Sequence, residues 1–207
     1  TLVKQGVNVV VLDKRDIAWG SNSASTAMLQ YEIDKELHEL TSIVGVPKAV
    51  RSYRLGVEAL DALEEVAGEV GAGHEFQRVE SIYATRYKRH LRRLQSEFAV
   101  RQAHGFKVRY VEQEELAARY GLKAYAALVS AEGATTDAYA LTYALFAKSE
   151  ALGARIFDRT EVTKLLQTDP GVTVQTDRGC TIRAAKVVLA TGYETQSYLK
   201  QSVTQLH

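Results

Sequence analysis

The stretch Gly6-Val7-Asn8-Val9-Val10-Val11-Leu12-Asp13 decides the fold. Its nearly continuous run of Val and Leu predicts a strand of a parallel sheet, buried on both faces. Open α/β sheets bind their ligands at the carboxyl ends of such strands, and Asp13 stands at that end. Two interpretations of Asp13 are open. It is either a carboxylate that accepts hydrogen bonds from a bound ribose or a cap of the turn that follows.

The residues before this strand indicate the unit to which it belongs. Residues Thr1 to Gln5 are typical of the last turn of a helix, and Gly6 is typical of the residue that ends one. A strand entered from a helix is the second strand of a βαβ unit. Neither a first strand nor a G-x-G-x-x-G turn precedes it, and the only methionine is Met28. We therefore expect the chain to be a fragment.

A loop rich in small residues follows the strand. Residues 20 to 27 are Gly, Ser, Asn, Ser, Ala, Ser, Thr and Ala. Small side chains allow backbone N–H groups to approach an anion closely, and the Ser and Thr hydroxyls add further donors. The same composition is typical of a flexible loop in solvent, so both interpretations stay open.

Composition limits the class of protein. The 207 residues are 46% hydrophobic and 25% charged, with a net charge of +1, which is ordinary for a globular protein and gives no case for a nucleic-acid partner. The single cysteine, Cys180, excludes an internal disulfide and favours a reducing compartment, so we expect a cytoplasmic protein. No apolar run has the roughly 20 residues of a membrane span. The histidines show no metal-ligand spacing, so no metal site is expected.

The middle of the chain predicts a mixture of helices and strands. The expected helices are residues 34–44, 47–70, 88–104 and 112–120, and the expected strands are residues 81–85, 107–111 and 125–131. The helix 88–104 carries Arg89, Arg92, Arg93 and Arg101. It is either a face for an anionic ligand or a solvated face, on which Glu97 pairs locally with Arg93 and Arg101.

The last third predicts half of a crossover and a small meander. Residues 132–137 are expected to form a turn, after which Asp137 caps a helix that runs from Ala138 to Leu152. Gly153 ends that helix, and a strand follows at 154–157. Residues 161–166, 172–176 and 180–183 are expected to pair as an antiparallel meander. A buried strand at 186–190 then runs into Thr191-Gly192-Tyr193.

The order of these parts resembles flavoprotein oxidoreductases of the D-amino-acid oxidase and glycine oxidase type. Three stretches carry the resemblance: the strand 9–13, the loop and strand 20–29, and the run from Gly133 to Gly192 that ends Ala-Thr-Gly-Tyr. Two positions depart from the family pattern. Members more often have Glu where this chain has Asp13, and their helix usually starts with Asp-Pro where this chain has Thr136-Asp137.

The resemblance implies an FAD cofactor and a set of residues around it. Asp13 would hold the adenosine ribose, Ser25, Thr26 and Ala27 would contact the pyrophosphate and ribityl chain, and Met28 and Leu29 would lie near the isoalloxazine. Val162 would meet the adenine through its backbone, and Ala190, Thr191 and Gly192 would pass near the adenosine half. Lys14, Gly20 and Ser21 complete the candidate cofactor site. Met28, Leu29 and Val162 are alternatively plain packing residues. No catalytic side chain can be named, because in this family the flavin carries the redox chemistry.

The expected fold is α/β. Residues 1–33 and 133–207 would form a partial, Rossmann-like FAD-binding domain with a small β-meander, and residues 34–132 would be an inserted mixed α/β part of the substrate domain. The expected function is oxidation of an amine, amino acid or hydroxy acid by hydride transfer to FAD, in a parent protein of which this fragment alone is inactive. The alternatives are a flavoenzyme like glycerol-3-phosphate dehydrogenase and a non-catalytic binding module. An exposed strand edge at 7–13 would allow self-association.

Overall fold

The structure is a computed structural model that describes residues 2–192 and 195. Its contacts divide the chain into two compact units. The terminal unit takes in the chain up to Ile17 and from Gly153 onward, and the central unit is Ala18–Leu152. Among the residues that the structure describes, no helix is both long and apolar enough to cross a membrane.

Helices and strands are mixed along the chain, as in an α/β fold. They run in the order β1 (Val10–Leu12), β2 (Met28–Gln30), α1 (Leu37–Val44), α2 (Val46–Glu69), β3 (Gln77–Thr85), α3 (Leu91–Ala103), β4 (Val108–Glu112), α4 (Gln113–Tyr120), β5 (Ala126–Thr135), α5 (Ala138–Ala151), β6 (Arg155–Phe157), β7 (Val162–Gln167), β8 (Val172–Thr176) and β9 (Thr181–Ala184).

A parallel pair of strands organises the terminal unit. Strand β1 pairs with β6 in parallel register, with Val10 opposite Arg155. A short 3-10 turn precedes β1 and ends at Gly6, whose φ of 77° and bond to the Val3 carbonyl confirm the predicted cap. The strand itself is shorter than the expected 7–13, and its residues are half-buried rather than buried on both faces. The reason is that, within the described residues, only β6 pairs with it.

The rest of the terminal unit is the expected meander. Strands β7, β8 and β9 pair antiparallel in that order. The prediction of a buried strand at 186–190 is wrong, because these residues form no strand and Val188 is 80% exposed. An apolar run becomes a strand only where a neighbour supplies hydrogen-bond partners, and none of the described strands pairs with this one. Tyr193, at the end of the family-like Ala-Thr-Gly-Tyr stretch, lies outside the described residues.

Strand β5 is the centre of the central unit. One of its edges pairs with β3 along nearly its whole length, and its other partners are β4 at residues 126–130 and β2 at residues 133–135. The turn expected at 132–137 is therefore partly strand. Gly133 allows this, because a Cβ there would lie 2.8 Å from the Val79 carbonyl oxygen of the neighbouring strand. The close approach of the two strands depends on the missing side chain.

Helix α2 packs against the segment that follows β2. Tyr31, Tyr53 and Phe106 form an aromatic cluster in the core, with ring centroids 5.6 to 5.9 Å apart. Gly56 of α2 lies directly against the backbone of Tyr31, since a Cβ there would be 2.7 Å from the Tyr31 carbonyl oxygen. This contact fixes the chain just after β2, and so fixes one end of the small-residue loop.

Candidate functional site

An open cavity of about 550 Å³ lies in the central unit, between the small-residue loop and the start of α5. Its size is within the range of small-molecule sites. The loop and the helix start both contribute small, polar and aromatic side chains. The lining residues are Trp19, Asn22, Ser23, Ser25, Ala27, Thr136, Asp137, Ala138 and Tyr139.

Hydrogen bonds hold the loop in a defined conformation. The Asn22 side chain donates to the Thr142 hydroxyl of α5 at 2.9 Å, and the Thr136 N–H donates to the Ala27 carbonyl at 3.2 Å. Ala27 is buried, and its φ of 48° is unusual for a residue with a Cβ. Its N–H donates to the Ser25 hydroxyl. Residues 21–26 are nevertheless exposed, so the loop lies in solvent while these hydrogen bonds anchor it to α5 and to the start of β2.

The helix start supplies neutral donors and one carboxylate. Asp137 accepts a hydrogen bond from the Ala140 N–H at 2.9 Å, which confirms the predicted cap. Because this carboxylate already occupies the N-terminus of α5, the helix start is poorly suited to a phosphate. The Thr136 hydroxyl oxygen is buried without a hydrogen-bond partner among the described residues. A buried hydroxyl of this kind is costly unless a ligand satisfies it.

Aromatic side chains flank the cavity. Trp19 is 61% exposed, and the Tyr139 ring lies 4.8 Å from that of Tyr143, centroid to centroid. The two tyrosine hydroxyls are 3.2 Å apart. These residues were not predicted from the sequence, although the i, i+4 spacing of the two tyrosines places them on one helix face. Together with the neutral donors they suit a planar, hydroxyl-bearing ligand better than a free anion.

The structure separates the site residues that the sequence predicted within the central unit. Ser25 and Ala27 line the cavity, whereas Gly20, Ser21 and Thr26 belong to the same loop without lining it. Met28 is 72% exposed on β2, opposite Thr135. Leu29 packs against the core beside Tyr31, as the plain-packing alternative proposed.

Asp13 is held in the terminal unit by backbone bonds. Its N–H donates to the Phe157 carbonyl, its carbonyl accepts from the Thr160 N–H, and its Oδ1 accepts from the Arg15 N–H at 2.9 Å. The carboxylate therefore does cap the following turn. Lys14, beside it, is exposed.

The other predicted residues of the terminal unit lie after β6. Val162 begins β7 opposite Thr176, and it is half-buried. Ala190, Thr191 and Gly192 are exposed, and Gly192 has a φ of 59°. These residues and Asp13 belong to the terminal unit, whereas the loop residues belong to the central unit.

A buried ionic network lies elsewhere in the central unit, around Glu97. The Glu97 carboxylate accepts hydrogen bonds from the Leu37 and His38 N–H groups at 2.9 and 2.8 Å, so it caps α1 from α3. It also accepts from Arg101 Nε at 2.6 Å. Burial alone would raise the pKa of Glu97, but these backbone groups and the guanidinium hold that pKa below its usual value. The pairing of Glu97 with Arg101 is thus confirmed, although it is buried rather than on the surface.

The same network brings together possible metal ligands. Glu36, His38 and Glu97 offer ligand atoms that all lie within 4.8 Å of one another. Arg93 donates to Glu36 at 2.8 Å, so the expected surface pairing of Arg93 with Glu97 is wrong. Burial and the Glu36 carboxylate raise the pKa of the Tyr83 hydroxyl, which donates to Glu36, to about 12. Each of these two carboxylates already has a guanidinium partner, Arg93 for Glu36 and Arg101 for Glu97. Arg101 also pairs with Glu32 at 2.9 Å.

Comparison with known proteins agrees with this architecture. Residues 1–206 match the model of the DAO family, described as FAD dependent oxidoreductase. No curated protein matches the chain. Solved structures give the fold. An L-amino acid deaminase from Proteus myxofaciens has a TM-score of 0.74 at 18% identity, covering 94% of this chain and 42% of that protein.

Two further structures are similar at the same level. A glycine oxidase from Geobacillus kaustophilus has a TM-score of 0.71 at 20% identity, covering 89% of this chain and 48% of that one. An L-proline dehydrogenase from P. horikoshii has a TM-score of 0.71 at 17% identity, covering 98% and 52%. This chain spans about half the length of these proteins. The family match extends over nearly every residue, and the chain therefore belongs to the family of FAD-dependent oxidoreductases.

Proposed function

We propose that the complete protein oxidises an amine, amino acid or hydroxy acid, with FAD as the acceptor of the hydride. Family membership supports the cofactor and the reaction class. The similar structures named above are a deaminase, an oxidase and a dehydrogenase of amino acids, which makes an amino acid the first substrate to test. The proposal includes a cytoplasmic location and the assignment of residues 1–33 and 133–207 to the FAD-binding domain.

The cavity beside α5 is the observation that carries this proposal. It offers the Ser25 and Asn22 side chains, the aromatic rings of Trp19 and Tyr139, and the buried Thr136 hydroxyl, which lacks a partner among the described residues. Hydroxyl and amide groups match the polyol chain and the ring edge of a flavin. A phosphate would face the Asp137 carboxylate here, so the ribityl and ring half of FAD fits this cavity better than the pyrophosphate.

Residues of the terminal unit are further candidates for contact with FAD, namely with its adenosine. Asp13 uses Oδ1 for the Arg15 N–H, and a carboxylate has further lone pairs with which to accept hydrogen bonds from ribose hydroxyls. Lys14, Val162 and residues 190–192 would lie beside the adenosine. Bound FAD would supply the hydride acceptor. The role of the chain would be to position the ring and to exclude water from it.

Replacing the buried hydroxyl tests the proposal. In the complete protein, Thr136→Val keeps the shape of the side chain and removes a hydroxyl that has no protein partner in the described residues. We expect FAD affinity, measured by titration calorimetry, to fall about fivefold, as for the loss of one hydrogen bond of about 1 kcal/mol. Ser149→Ala on the same helix is the control, because its hydroxyl bonds within α5, to the Leu145 carbonyl. Purified wild-type protein without flavin absorbance, or unable to bind added FAD, would contradict the proposed function itself.

A further inference from the structure

A corner of the central unit carries an unusual excess of positive charge. The sequence from Ser81 to Ser96 contains no Asp or Glu and five Arg or Lys residues. These cations stand at the end of β3 and at the start of α3. We call the basic corner the set of exposed residues Arg86, Tyr87, Lys88, Arg89, Arg92 and Tyr125.

The charges of the basic corner are not compensated within the protein. Arg93, the next cation along α3, pairs with Glu36 and Glu39 at 2.8 and 3.4 Å. The four cations of the basic corner, in contrast, have no carboxylate within 4.0 Å in the part of the chain that the structure describes. Elsewhere on the central unit, cations such as Arg78 and Arg109 each meet two carboxylates.

The arrangement is also unfavourable for the helix that carries it. Lys88 and Arg89 lie in a 3-10 turn, Lys88–His90, that leads directly into α3. They stand four and three positions before Arg92, so like charges crowd the start of the helix and repel. The N-terminus of α3 is the positive end of its dipole, and no acidic residue stands in its first turn. The clustered positive charges therefore lower the stability of the start of α3. Such local conflicts between sequence and fold are expected where a surface binds something.

The aromatic residues hold the cations against the surface. The Arg89 guanidinium lies 5.0 Å from the centre of the Tyr87 ring, and the Lys88 ammonium lies 5.4 Å from the centre of the Tyr125 ring. The backbone bond from the Tyr125 N–H to the Thr85 carbonyl brings these segments together. His90 packs its ring against Tyr87 at 5.3 Å. The cations are therefore gathered in one place rather than spread over a disordered loop.

We propose that the basic corner docks the protein on an anionic phospholipid surface. Clustered Lys and Arg attract the negative headgroups, and tyrosines have the amphipathic character of side chains at a membrane interface. A single-stranded nucleic acid fits less well, because cations already cover the ring faces on which bases would stack. The net charge of +1 also gives no extended basic track for a long polyanion.

Vesicle binding tests this docking. The complete protein is sedimented with vesicles of phosphatidylcholine and phosphatidylglycerol, and separately with vesicles of phosphatidylcholine alone. We expect binding to the anionic vesicles only, and its loss when salt is raised from about 0.1 M to about 0.5 M, because the Debye length then shortens. The variant Lys88→Glu/Arg89→Glu should bind the anionic vesicles at least about tenfold more weakly than the wild-type protein.

A matched variant and a second ligand complete the test. Lys164→Glu/Arg183→Glu makes the same change of charge at exposed positions on β7 and β9, and it should leave vesicle binding unchanged. Equal loss in both variants, or equal binding to neutral vesicles, would overturn the proposal. Binding to a fluorescent single-stranded DNA without binding to vesicles would overturn it in favour of a polyanion. The double charge reversal at the corner relieves repulsion, so we expect the melting temperature of this variant not to fall. An unchanged melting temperature would exclude unfolding as the cause of the lost binding.

Discussion

At the scale of single residues, Ala27 has a strained backbone conformation and lines the candidate site. Its left-handed backbone conformation costs a residue with a Cβ about 1 kcal/mol, and the hydrogen bonds of its N–H and carbonyl hold it there. Ala27→Gly removes this cost. We expect urea denaturation to show the same or slightly higher stability, whereas FAD affinity falls because the loop gains freedom.

Ala18 provides the control for this prediction. Its φ of 61° is just as unusual, but it does not line the cavity. Ala18→Gly should change stability in the same direction and leave FAD affinity unchanged. A clear loss of stability in Ala27→Gly would mean that the conformation of Ala27 carries no strain.

Glu97 is the residue on which the buried network depends. Its side chain is 0% exposed and balances Arg101, which is 2% exposed. Glu97→Gln would break the buried pair with Arg101, which would keep only Glu32 as a carboxylate partner, and it would weaken the cap of α1. We expect a loss of about 3 kcal/mol in the free energy of unfolding, as for a broken buried pair. Glu115→Gln, which disrupts an exposed pair with Arg109, should cost less than about 1 kcal/mol.

The lowered pKa of Glu97 gives the sign of a pH dependence. Because the carboxyl binds its proton less readily when folded, its contribution to stability is complete above its unfolded pKa, near 4.5. That contribution is lost as the pH falls through the lower, folded pKa. Denaturation curves below pH 4.5 should therefore lose stability more steeply for the wild-type protein than for Glu97→Gln. Parallel curves would show that Glu97 is not the titrating group.

At the scale of elements, the features predicted correctly from the sequence are those that neighbouring residues determine. The helix expected at 47–70 is α2 within one residue at each end, because a proline and a stripe of apolar residues mark it. The cap at Asp137 is equally local. Strand β5 extends beyond its expected end, and residues 186–190 form no strand, because strands depend on partners that are distant in sequence. The hydrogen bond between the Asn22 and Thr142 side chains joins residues 120 positions apart, so no short stretch of sequence predicts the cavity.

Substitutions at two glycines of α2 distinguish the effect of packing on stability from the effect of helix propensity. A Cβ at Gly56 would meet the Tyr31 backbone at 2.7 Å, whereas a Cβ at Gly68 would meet nothing within 4 Å. Gly68→Ala should raise the free energy of unfolding by about 0.5–1 kcal/mol through helix propensity alone. Gly56→Ala should lower it by about 1–3 kcal/mol, because backbone must shift. Chemical denaturation of the two variants measures both effects, and equal gains would show that α2 and the segment after β2 do not pack closely.

At the scale of the whole molecule, the terminal unit leaves one edge of its parallel sheet open. Bonds from the Arg155 N–H to the Val9 carbonyl and from the Asp13 N–H to the Phe157 carbonyl place alternate residues of β1 toward β6. Val10 and Leu12 therefore direct their N–H and carbonyl groups to the other edge, where no strand pairs among the described residues. An apolar edge with unpaired backbone groups is a template for another strand.

We therefore expect the 207-residue chain to self-associate through β1. Val10→Pro removes one N–H from the open edge and keeps the pairing of β1 with β6, so it should reduce the association. Sedimentation velocity at tens of micromolar, roughly the range in which exposed edges aggregate, measures the effect. Val188→Lys is the control, because it removes an exposed apolar side chain of the same unit without touching β1. A wild-type chain that stays monomeric, with slow hydrogen exchange at the Val10 and Leu12 amides, would show that another part of the chain covers this edge.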